Sequence, residues 1–385
     1  MGVPREVEFR TEALPDFARL EGDWRRLEAD ARPSFFTSWH WIGTLIAALP
    51  AASRPRLLRG LVQGKTAALA LLGAGVATRR HGLVRSRGLY LNETGDRRFD
   101  LLTIEHNGVL AAAEHEAVVH DALVAWFAGR GNEADELYLS GSLRRLSEAA
   151  VEGNRLLRSE IAVPSYSVEL GLLDATGNAL DPVLSANARQ QLRRSFRHFE
   201  RFGPLGLSEA ATLAEALSFF AALKTLHCAS WQRRGRAHAF SHAFFEPFHR
   251  LLIERSFAAG GTQLLKACAG DRVIGYLYNF RLDGRVYAYQ SGFADGDPRE
   301  RPGIVSHALA IRHACRSGMR VYDFMAGHNR LKQSFATRCE PMLWQVVQQP
   351  RLAFRIEHFA RRVKAALPPT RWLAKKELAG SGPKR

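Results

Sequence analysis

Cysteines are scarce in this sequence, and long apolar stretches are missing. The 385 residues include four cysteines, which are far apart and lack the paired short spacing that a zinc site or a disulfide framework needs: Cys228, Cys268, Cys315 and Cys339. No run of about 18 uncharged apolar residues occurs, and acidic residues stand near the start, where a secretory signal has an apolar core. We therefore expect a cytoplasmic protein with reduced, mostly buried cysteines and no metal.

Acidic residues are also few relative to basic ones. The chain has 54 Lys and Arg against 38 Asp and Glu, a net charge of +16, which favours an anionic partner: nucleic acid, an anionic membrane surface or a phosphate-rich small molecule. Residues 351–385 hold ten Lys or Arg against two Glu and so supply half of that charge. Because the remainder is only moderately basic, a phosphate-bearing co-substrate suits it, and tRNA is the less favoured partner.

The basic tail, residues 351–385, begins with the pattern of an amphipathic helix. Leu352, Ile356, Phe359 and Val363 fall on one side of it, and basic residues occupy the others. A helix of this kind either rests on anionic lipid, which would place the protein at the inner face of the membrane, or packs on the second domain. Both interpretations stay open.

The length and the 46% hydrophobic content predict two packed domains. In the first, residues 1–158, Ser38 is a plausible N-cap of a helix. The other predicted elements are a hairpin with the turn Gln63-Gly64, strands near 83–91, 99–104 and 136–139, and a helix over 109–127. We see no catalytic constellation in this half.

The second half, residues 159–350, repeats the order of helices and strands more clearly. Secondary-structure signals lapse near 152–163, which we take as the boundary. The predicted elements are helices from 185, over 212–232 and over 242–259, strands over 262–267, 272–282 and 285–293, a helix from 303, a strand over 320–324, a short helix over 329–336 and a strand over 342–348. The turn Asp283-Gly284 is a strong hairpin signal.

Short motifs in the second half have the order and spacing of a known family. They are Ala188-Arg189-Gln190-Gln191-Leu192-Arg193-Arg194, Trp231 with Arg233-Arg234-Gly235, Phe248-His249, Tyr289-Gln290-Ser291-Gly292-Phe293, Pro302-Gly303, and Tyr322-Asp323-Phe324 with Gly327 and Lys332. On these motifs the chain resembles the CelD-like (BioF-like) branch of the GNAT acyltransferase superfamily, related to the Fem-type peptidyltransferases, and the first half agrees at Phe35 to Trp41. The resemblance implies an α/β fold of two tandem GNAT-like domains, each a mixed, mainly antiparallel sheet flanked by helices, with the first domain degenerate.

The resemblance also implies acyl-CoA, most simply acetyl-CoA, as the co-substrate. In this superfamily the donor pyrophosphate lies where the fourth strand gives way to a helix, held by backbone N–H groups and the helix dipole. Glu300 and Val305 depart from the family pattern of Gln or Arg at the first position and a small residue at the second. The alternative is an ordinary loop with a proline at the helix start. The residues at that place are Arg299, Arg301, Gly303, Ile304, Val305 and Ser306.

A bulky residue in place of Gly303 is expected to weaken donor binding by blocking backbone access, with little loss of folding stability.

Three residues are candidates for the chemistry. The resemblance points to Asp323 as a general base acting through water or an anchor for the acceptor amine; alternatively it caps the turn Ala326-Gly327. Lys332, preceded by Leu331 where the family has Tyr, either binds a phosphate or carboxylate of the acceptor or is a solvated surface lysine. His227 is a possible base because imidazole titrates near neutrality, or else an ordinary packing residue.

Substrate contacts are expected beside the phosphate loop. Tyr289, Gln290 and Ser291 end the preceding strand, where backbone N–H groups could polarise the acyl carbonyl. Alternation puts Tyr289 and Ser291 on one face of the sheet and Gln290 on the other, so only one set can face the cleft. Trp231 lies four residues after His227 and shares its helix face.

Two functional classes remain. As an enzyme, the protein transfers an acyl group from acyl-CoA to an amine or hydroxyl of a sugar, a polysaccharide precursor or a related metabolite, with an aminoacyl-tRNA donor as a variant. As a non-catalytic module, it keeps the fold and assists envelope polysaccharide assembly. The departures at Glu300, Val305 and Leu331 favour this second class.

Four arginines at four-residue steps form a ridge along a predicted helix: Arg189, Arg193, Arg197 and Arg201. Either an anionic partner or a solvated helix face explains this ridge.

Overall fold

The computed structural model describes residues 7–79, 82, 84–173, 180, 184–294 and 300–366, without the side chains of residues 362–366. Arg299 and the tail beyond residue 366 lie outside the described residues. The described helices are α1 (Phe17–Ala29), α2 (Trp39–Ala48), α3 (Val119–Ala128), α4 (Glu148–Gly153), α5 (Ala186–Glu200), α6 (Leu213–Arg233), α7 (Phe245–Ser256), α8 (Pro302–Arg316), α9 (Arg330–Phe335) and α10 (Leu352–Ala366). None of these helices is both long enough and apolar enough to cross a bilayer.

The strands join into one mainly antiparallel sheet. They are β1 (Glu8–Glu12), β2 (Arg56–Val62), β3 (Lys65–Arg79), β4 (Val84–Leu91), β5 (Leu110–Ala111), β6 (Glu136–Ser142), β7 (Leu157–Glu169), β8 (Leu205–Glu209), β9 (Thr262–Ala269), β10 (Arg272–Leu282), β11 (Arg285–Phe293), β12 (Val321–Ala326) and β13 (Arg338–Gln348). Their spatial order is β1-β2-β3-β4-β6-β13-β7-β12-β11-β10-β9-β8, with β5 paired to β3.

The sheet contains the same arrangement twice. A four-stranded antiparallel meander forms each end, β1 to β4 and β8 to β11. Each meander is followed by a short parallel pair, β4 with β6 and β11 with β12. This repeat confirms the tandem α/β architecture that the resemblance implied.

Two tight turns set the registers of the meanders, as predicted. Gln63 and Gly64 have φ of 51° and 77°, and Asp283 and Gly284 have φ of 46° and 73°. Two consecutive positive φ values match the right-handed twist of the flanking strands. The hairpins β2–β3 and β10–β11 therefore form where the sequence indicates.

Aromatic side chains join the two halves in one core. The ring of Phe35 stacks on Phe280 with centroids 4.3 Å apart, and Trp41 packs against Phe248 at 4.9 Å. Such pairs add specific geometry to a large buried apolar area. The segment 35–41 of the first half is therefore fixed against the second half, next to strand β11.

Three sequence predictions about the elements are wrong. Residues 99–104 form turns and coil instead of a strand. The helix predicted over 109–127 is divided into β5, which pairs with β3, and α3, which begins only at Val119. Residues 152–163 contain the end of α4 and the start of β7, so the position chosen as the domain boundary lies inside a strand.

Candidate active site

The parallel pairing of β11 with β12 ends at Asp323. Residues 285–287 of β11 pair with residues 321–323 of β12; beyond them β12 shifts its register against β7, and Met325 has φ of 63°. Residues 288–293 of β11 and 324–326 of β12 are therefore not paired with each other. We call the region between these two segments the strand opening. Side chains from both halves of the chain meet at its base.

Asp323 is buried and has three polar contacts: hydrogen bonds with Arg285 and the Met325 N–H, and a close contact with His106 that lacks hydrogen-bond geometry. Its Oδ2 lies 2.7 Å from Nη1 of Arg285 and 3.1 Å from Nε2 of His106, and its Oδ1 accepts the Met325 N–H at 2.7 Å. Burial alone would raise the pKa of Asp323, but His106, Arg285 and the Met325 N–H outweigh burial and hold it below its ordinary value. Asp323 is therefore a carboxylate at neutral pH, and it caps Met325 in addition to any chemical role.

His106 comes from the first half, where the sequence showed no catalytic group. It has φ of 49°, a conformation that costs energy in a non-glycine residue. The backbone oxygen of His106 accepts a 2.7 Å hydrogen bond from Ser34 Oγ, at the start of the aromatic segment 35–41. The packing between the halves therefore places this imidazole against Asp323.

Glu105 and Lys332 hold the end of β12 from two sides. Glu105 Oε2 accepts the Ala326 N–H at 2.8 Å, and Lys332 Nζ donates to Ala326 O at 2.6 Å. Burial raises the pKa of Glu105 and lowers that of Lys332. The interpretation of Lys332 as a solvated surface lysine is therefore wrong, because its ammonium lies among buried groups at the strand opening.

Helix α8 begins beside the strand opening. Its N-cap Arg301 is exposed with φ of 52°, and Pro302, the first helical residue, has no N–H. Ile304 N–H already donates to Arg301 O. The first turn therefore offers at most the N–H groups of Arg301 and Gly303 to an anion. The side chains of Ile304 and Val305 are buried in the hydrophobic core, so only their backbones could contact a donor.

Glu300, at the position where the family has Gln or Arg, does not face the helix start with a free charge. It is 7% exposed, and its carboxylate contacts His198 at 3.0 Å and Arg272 at 3.1 Å. These partners offset a charge that would otherwise repel a phosphate. One turn into α8, the Ser306 hydroxyl is buried and has no hydrogen-bond partner among the described residues.

Gly303 is required by close packing. A Cβ at this position would lie 3.1 Å from the Phe293 ring and 3.2 Å from Leu331 Cδ1. Leu331, which replaces the family's Tyr, therefore packs on the helix start. A bulky residue at position 303 would have to displace one of these neighbours, so we now expect it to cost stability as well as donor binding.

Tyr289 is partly buried and packs against helix α7 and the aromatic core. Its hydroxyl donates to Leu102 O and lies 3.2 Å from His249 Nε2. The strand register shifts at Tyr289, so the alternation expected here is wrong: Gln290 pairs with Tyr278, on the face that Tyr289 shares, and Ser291 pairs with Leu277 on the opposite face. The Tyr289 ring therefore packs between the two halves, and its role as a substrate contact stays a prediction.

His227 and Trp231 share one face of α6, as predicted, with ring centroids 5.8 Å apart. His227 Nδ1 donates to Ser291 O at 3.0 Å, and burial lowers its pKa. Among the described residues, no hydrogen bond or ion pair joins His227 to Asp323 or Lys332. The structure therefore brings Asp323 and Lys332 together with Glu105 and His106, and leaves His227 in a separate group.

Comparison with protein families assigns the domain that contains this site. Residues 186–333 match the acetyltransferase (GNAT) domain family, a stretch that runs from α5 into α9 and includes Asp323 and Lys332. The second half is therefore a GNAT-type acetyltransferase domain, and the protein is an acyltransferase. A search of curated proteins finds no match.

Solved structures extend the likeness over both halves. FemX is 9% identical, with 91% of this chain and 99% of FemX covered and a TM-score of 0.56. The C-terminal domain of a protein assigned as a lysylphosphatidylglycerol synthetase, from Agrobacterium fabrum, is 12% identical, with 90% and 96% covered and a TM-score of 0.50. At these identities the likeness establishes the fold alone.

Proposed function

We propose that the protein transfers an acyl group, most simply acetyl, from acyl-CoA to an amine or hydroxyl of a sugar, a polysaccharide precursor or a related metabolite. The observation that carries this proposal is the contact between Asp323 and His106, at the residue where β11 and β12 stop pairing. A buried carboxylate against an imidazole is an arrangement suited to general base catalysis.

In the proposed reaction His106 is the base and Asp323 positions it. Because Nε2 faces the carboxylate, Nδ1 is the nitrogen that takes the proton from the acceptor N–H or O–H. The acceptor atom bonds to the thioester carbonyl carbon, the C–S bond breaks, and the imidazolium returns the proton to the departing sulfur. Asp323 stays ionised and stabilises the imidazolium; its lowered pKa suits that role better than proton abstraction.

The start of α8 fits a donor phosphate. A 15-residue helix places the positive end of its dipole there, Arg301 adds an exposed cation, and the charge of Glu300 is already offset by Arg272 and His198. The N–H groups of Arg301 and Gly303 would hold the phosphate oxygens.

An aminoacyl-tRNA donor is the second candidate, because the basic ridge adjoins this helix. Arg193, Arg197 and Arg201 are exposed along α5, and His198 of the same helix contacts Glu300. Such a ridge suits a phosphate backbone as well as a single coenzyme.

A thermal-shift screen separates these candidates. Acetyl-CoA, longer acyl-CoAs, free coenzyme A and charged tRNA are tested on the full chain, since a ligand of the folded state raises the unfolding midpoint. We expect an acyl-CoA to raise the unfolding midpoint of the wild type and to raise that of Arg301→Gln by less. The control Arg19→Gln removes an exposed arginine of α1, and its midpoint should rise as much as that of the wild type. A salt-sensitive shift with tRNA alone would favour the second candidate, and no shift with any donor would contradict both.

We also propose that α10 places the enzyme on an anionic membrane surface. Leu352, Ile356 and Phe359 are 74%, 59% and 69% exposed, so they do not pack on the second domain. The opposite face is buried: Phe354 lies under the Arg79 guanidinium, and Glu357 contacts Arg79 at 3.5 Å. An outward apolar stripe on a basic helix is the pattern of interfacial binding.

A further inference from the structure

A cavity of about 340 Å³ lies in the first half, next to His106. Its walls are the loop 106–111, the start of α3 with His120, the residues after β6 with Arg144, and the segment before α2 with Arg32. This volume is within the range of small-molecule sites. His106 both lines the cavity and contacts Asp323, so this residue is shared by the cavity and the proposed reaction centre.

His120 lacks the partners that a buried imidazole needs. It is 7% exposed, and neither ring nitrogen has a hydrogen-bond partner among the described residues. Gly108, which also lines the cavity, lies against the ring: a Cβ there would be 3.3 Å from Nε2. Burial lowers the pKa of His120 to about 4, so the neutral ring presents one donor and one acceptor. A buried polar group in this state calls for a partner from outside the chain.

The charges around the cavity indicate what else the ligand carries. Arg144 and Glu116 contact each other at 2.5 Å, so these two charges offset one another. Arg32 is exposed and forms no ion pair within the described part of the chain. The cavity therefore combines a neutral group that both donates and accepts, which suits a hydroxyl, with an uncompensated guanidinium, which suits a carboxylate or phosphate.

We propose that this cavity binds the acyl acceptor, and that the acceptor is a sugar bearing an acidic group, with a hydroxyl on His120 and the carboxylate or phosphate on Arg32. The proposal rests on the proposed function for the acceptor role, and it deepens that function by naming the acceptor class. The ligand's nucleophilic amine or hydroxyl would then lie on the His106 side of the cavity.

Calorimetry on the full chain, without any acyl donor, tests this site. The probes are glucose 1-phosphate, glucuronate, glucose and inorganic phosphate. We expect one acidic sugar to bind at least tenfold more tightly than glucose or phosphate. Arg32→Gln and His120→Phe should each weaken that binding tenfold or more, and the control Arg19→Gln, outside the cavity, should leave it unchanged. Comparing glucose 1-phosphate with glucuronate tells which acid is recognised.

Gly108→Ala gives a second variant in case His120→Phe fails to fold, because its added methyl narrows access to Nε2 without removing a charge. It should also weaken binding of the acidic sugar. Any of three results would overturn the proposal. They are equal affinity for phosphate and the acidic sugar, binding that Arg32→Gln and Gly108→Ala leave unaffected, and no binding of either acidic sugar. Acetyl-CoA binding is measured in parallel, so the cavity proposal can fail while the proposed function stands, and the reverse.

Discussion

Replacing Asp323 by Asn tests the centre of the candidate site. Asn keeps the shape of the side chain, but either orientation of its amide puts an N–H donor against another donor: the Arg285 guanidinium in one and the Met325 N–H in the other. A hydrogen bond to a charged group contributes about 1.5–3 kcal/mol, and removing one member of a buried ion pair costs about 3–5 kcal/mol. Because Arg285 is 33% exposed and can reach water, we expect about 2–4 kcal/mol of lost stability.

The expected loss in activity is separate from the loss in stability. Without the carboxylate, His106 loses the group that orients it and stabilises its protonated form, so turnover should fall about 10²-fold or more. Stability is measured by urea denaturation, and turnover by thiol release from acetyl-CoA at a temperature where the variant is folded. The control Glu340→Gln removes a carboxylate from an exposed pair with Arg338 and should cost less than about 1 kcal/mol.

The pH dependence gives a further check on the same variant. The pKa of Asp323 is lowered on folding, so its stabilising effect is complete above the unfolded value of about 3.9 and is lost as the pH falls through the folded value. The difference in stability between wild type and Asp323→Asn should therefore shrink as the pH falls below about 4. Unchanged turnover in the folded variant would refute the proposed role of Asp323 in positioning His106.

Three further predictions follow from other features. Gly303→Val should weaken donor binding in calorimetry and cost about 1–3 kcal/mol of stability. Because Leu331 Cδ1 lies 3.2 Å from the added Cβ, adding Leu331→Ala should restore much of the stability. No recovery would contradict the packing argument. Burial lowers the pKa of His307 to about 3, so the unfolded state takes up the proton first as the pH falls below about 6.5 and the wild type loses stability. In urea denaturation, the stability lost between pH 8 and pH 5 should be about 2 kcal/mol smaller in His307→Gln than in wild type. In vesicle sedimentation at low salt, the wild type should bind phosphatidylglycerol vesicles and not phosphatidylcholine vesicles. The triple variant Leu352→Ser/Ile356→Ser/Phe359→Ser and a deletion of 367–385 should each reduce binding. Binding that does not depend on salt would contradict an electrostatic attraction to the anionic lipid.

Local patterns predicted the parts of the fold that depend on near neighbours. The turns at Gln63-Gly64 and Asp283-Gly284 need positive φ, which these residues tolerate, so the two hairpins were predictable. Ser38 was predicted as an N-cap and occupies that position, but its hydroxyl donates to Phe35 O instead of accepting a helix N–H. The capping residue was therefore identified by position and not by its bond.

Long-range pairing was beyond the reach of such patterns. Strand β13 lies between β6 of the first half and β7 of the second, so the last strand of the chain completes the middle of the sheet. No local periodicity encodes which strands become neighbours. The division of the chain at residue 158 was for that reason drawn through a strand.

The first-half contribution to the site was missed for a similar reason. His106 lies in irregular backbone, and its contact with Asp323 spans more than half of the chain. The available signal was the run Glu105-His106-Asn107-Gly108, two ionisable residues in a turn-like segment. Lys332 was identified by the family resemblance, but its burial depends on Glu105 and the end of β12, which the sequence does not place near it.

The two halves differ at one equivalent position of their parallel strand pairs, and this difference agrees with the proposed reaction centre in the second half. In both parallel pairs the third residue pair is the last: Tyr90 with Tyr138 in the first half, and Tyr287 with Asp323 in the second. Tyr90 and Tyr138 stack with centroids 4.5 Å apart and planes 6° from parallel, which fills the place where the strands separate. In the second half the smaller carboxylate leaves room there for His106, supplied by the first half. In the proposed mechanism the first half therefore supplies the base, His106, and the proposed acceptor cavity to the site of the second half.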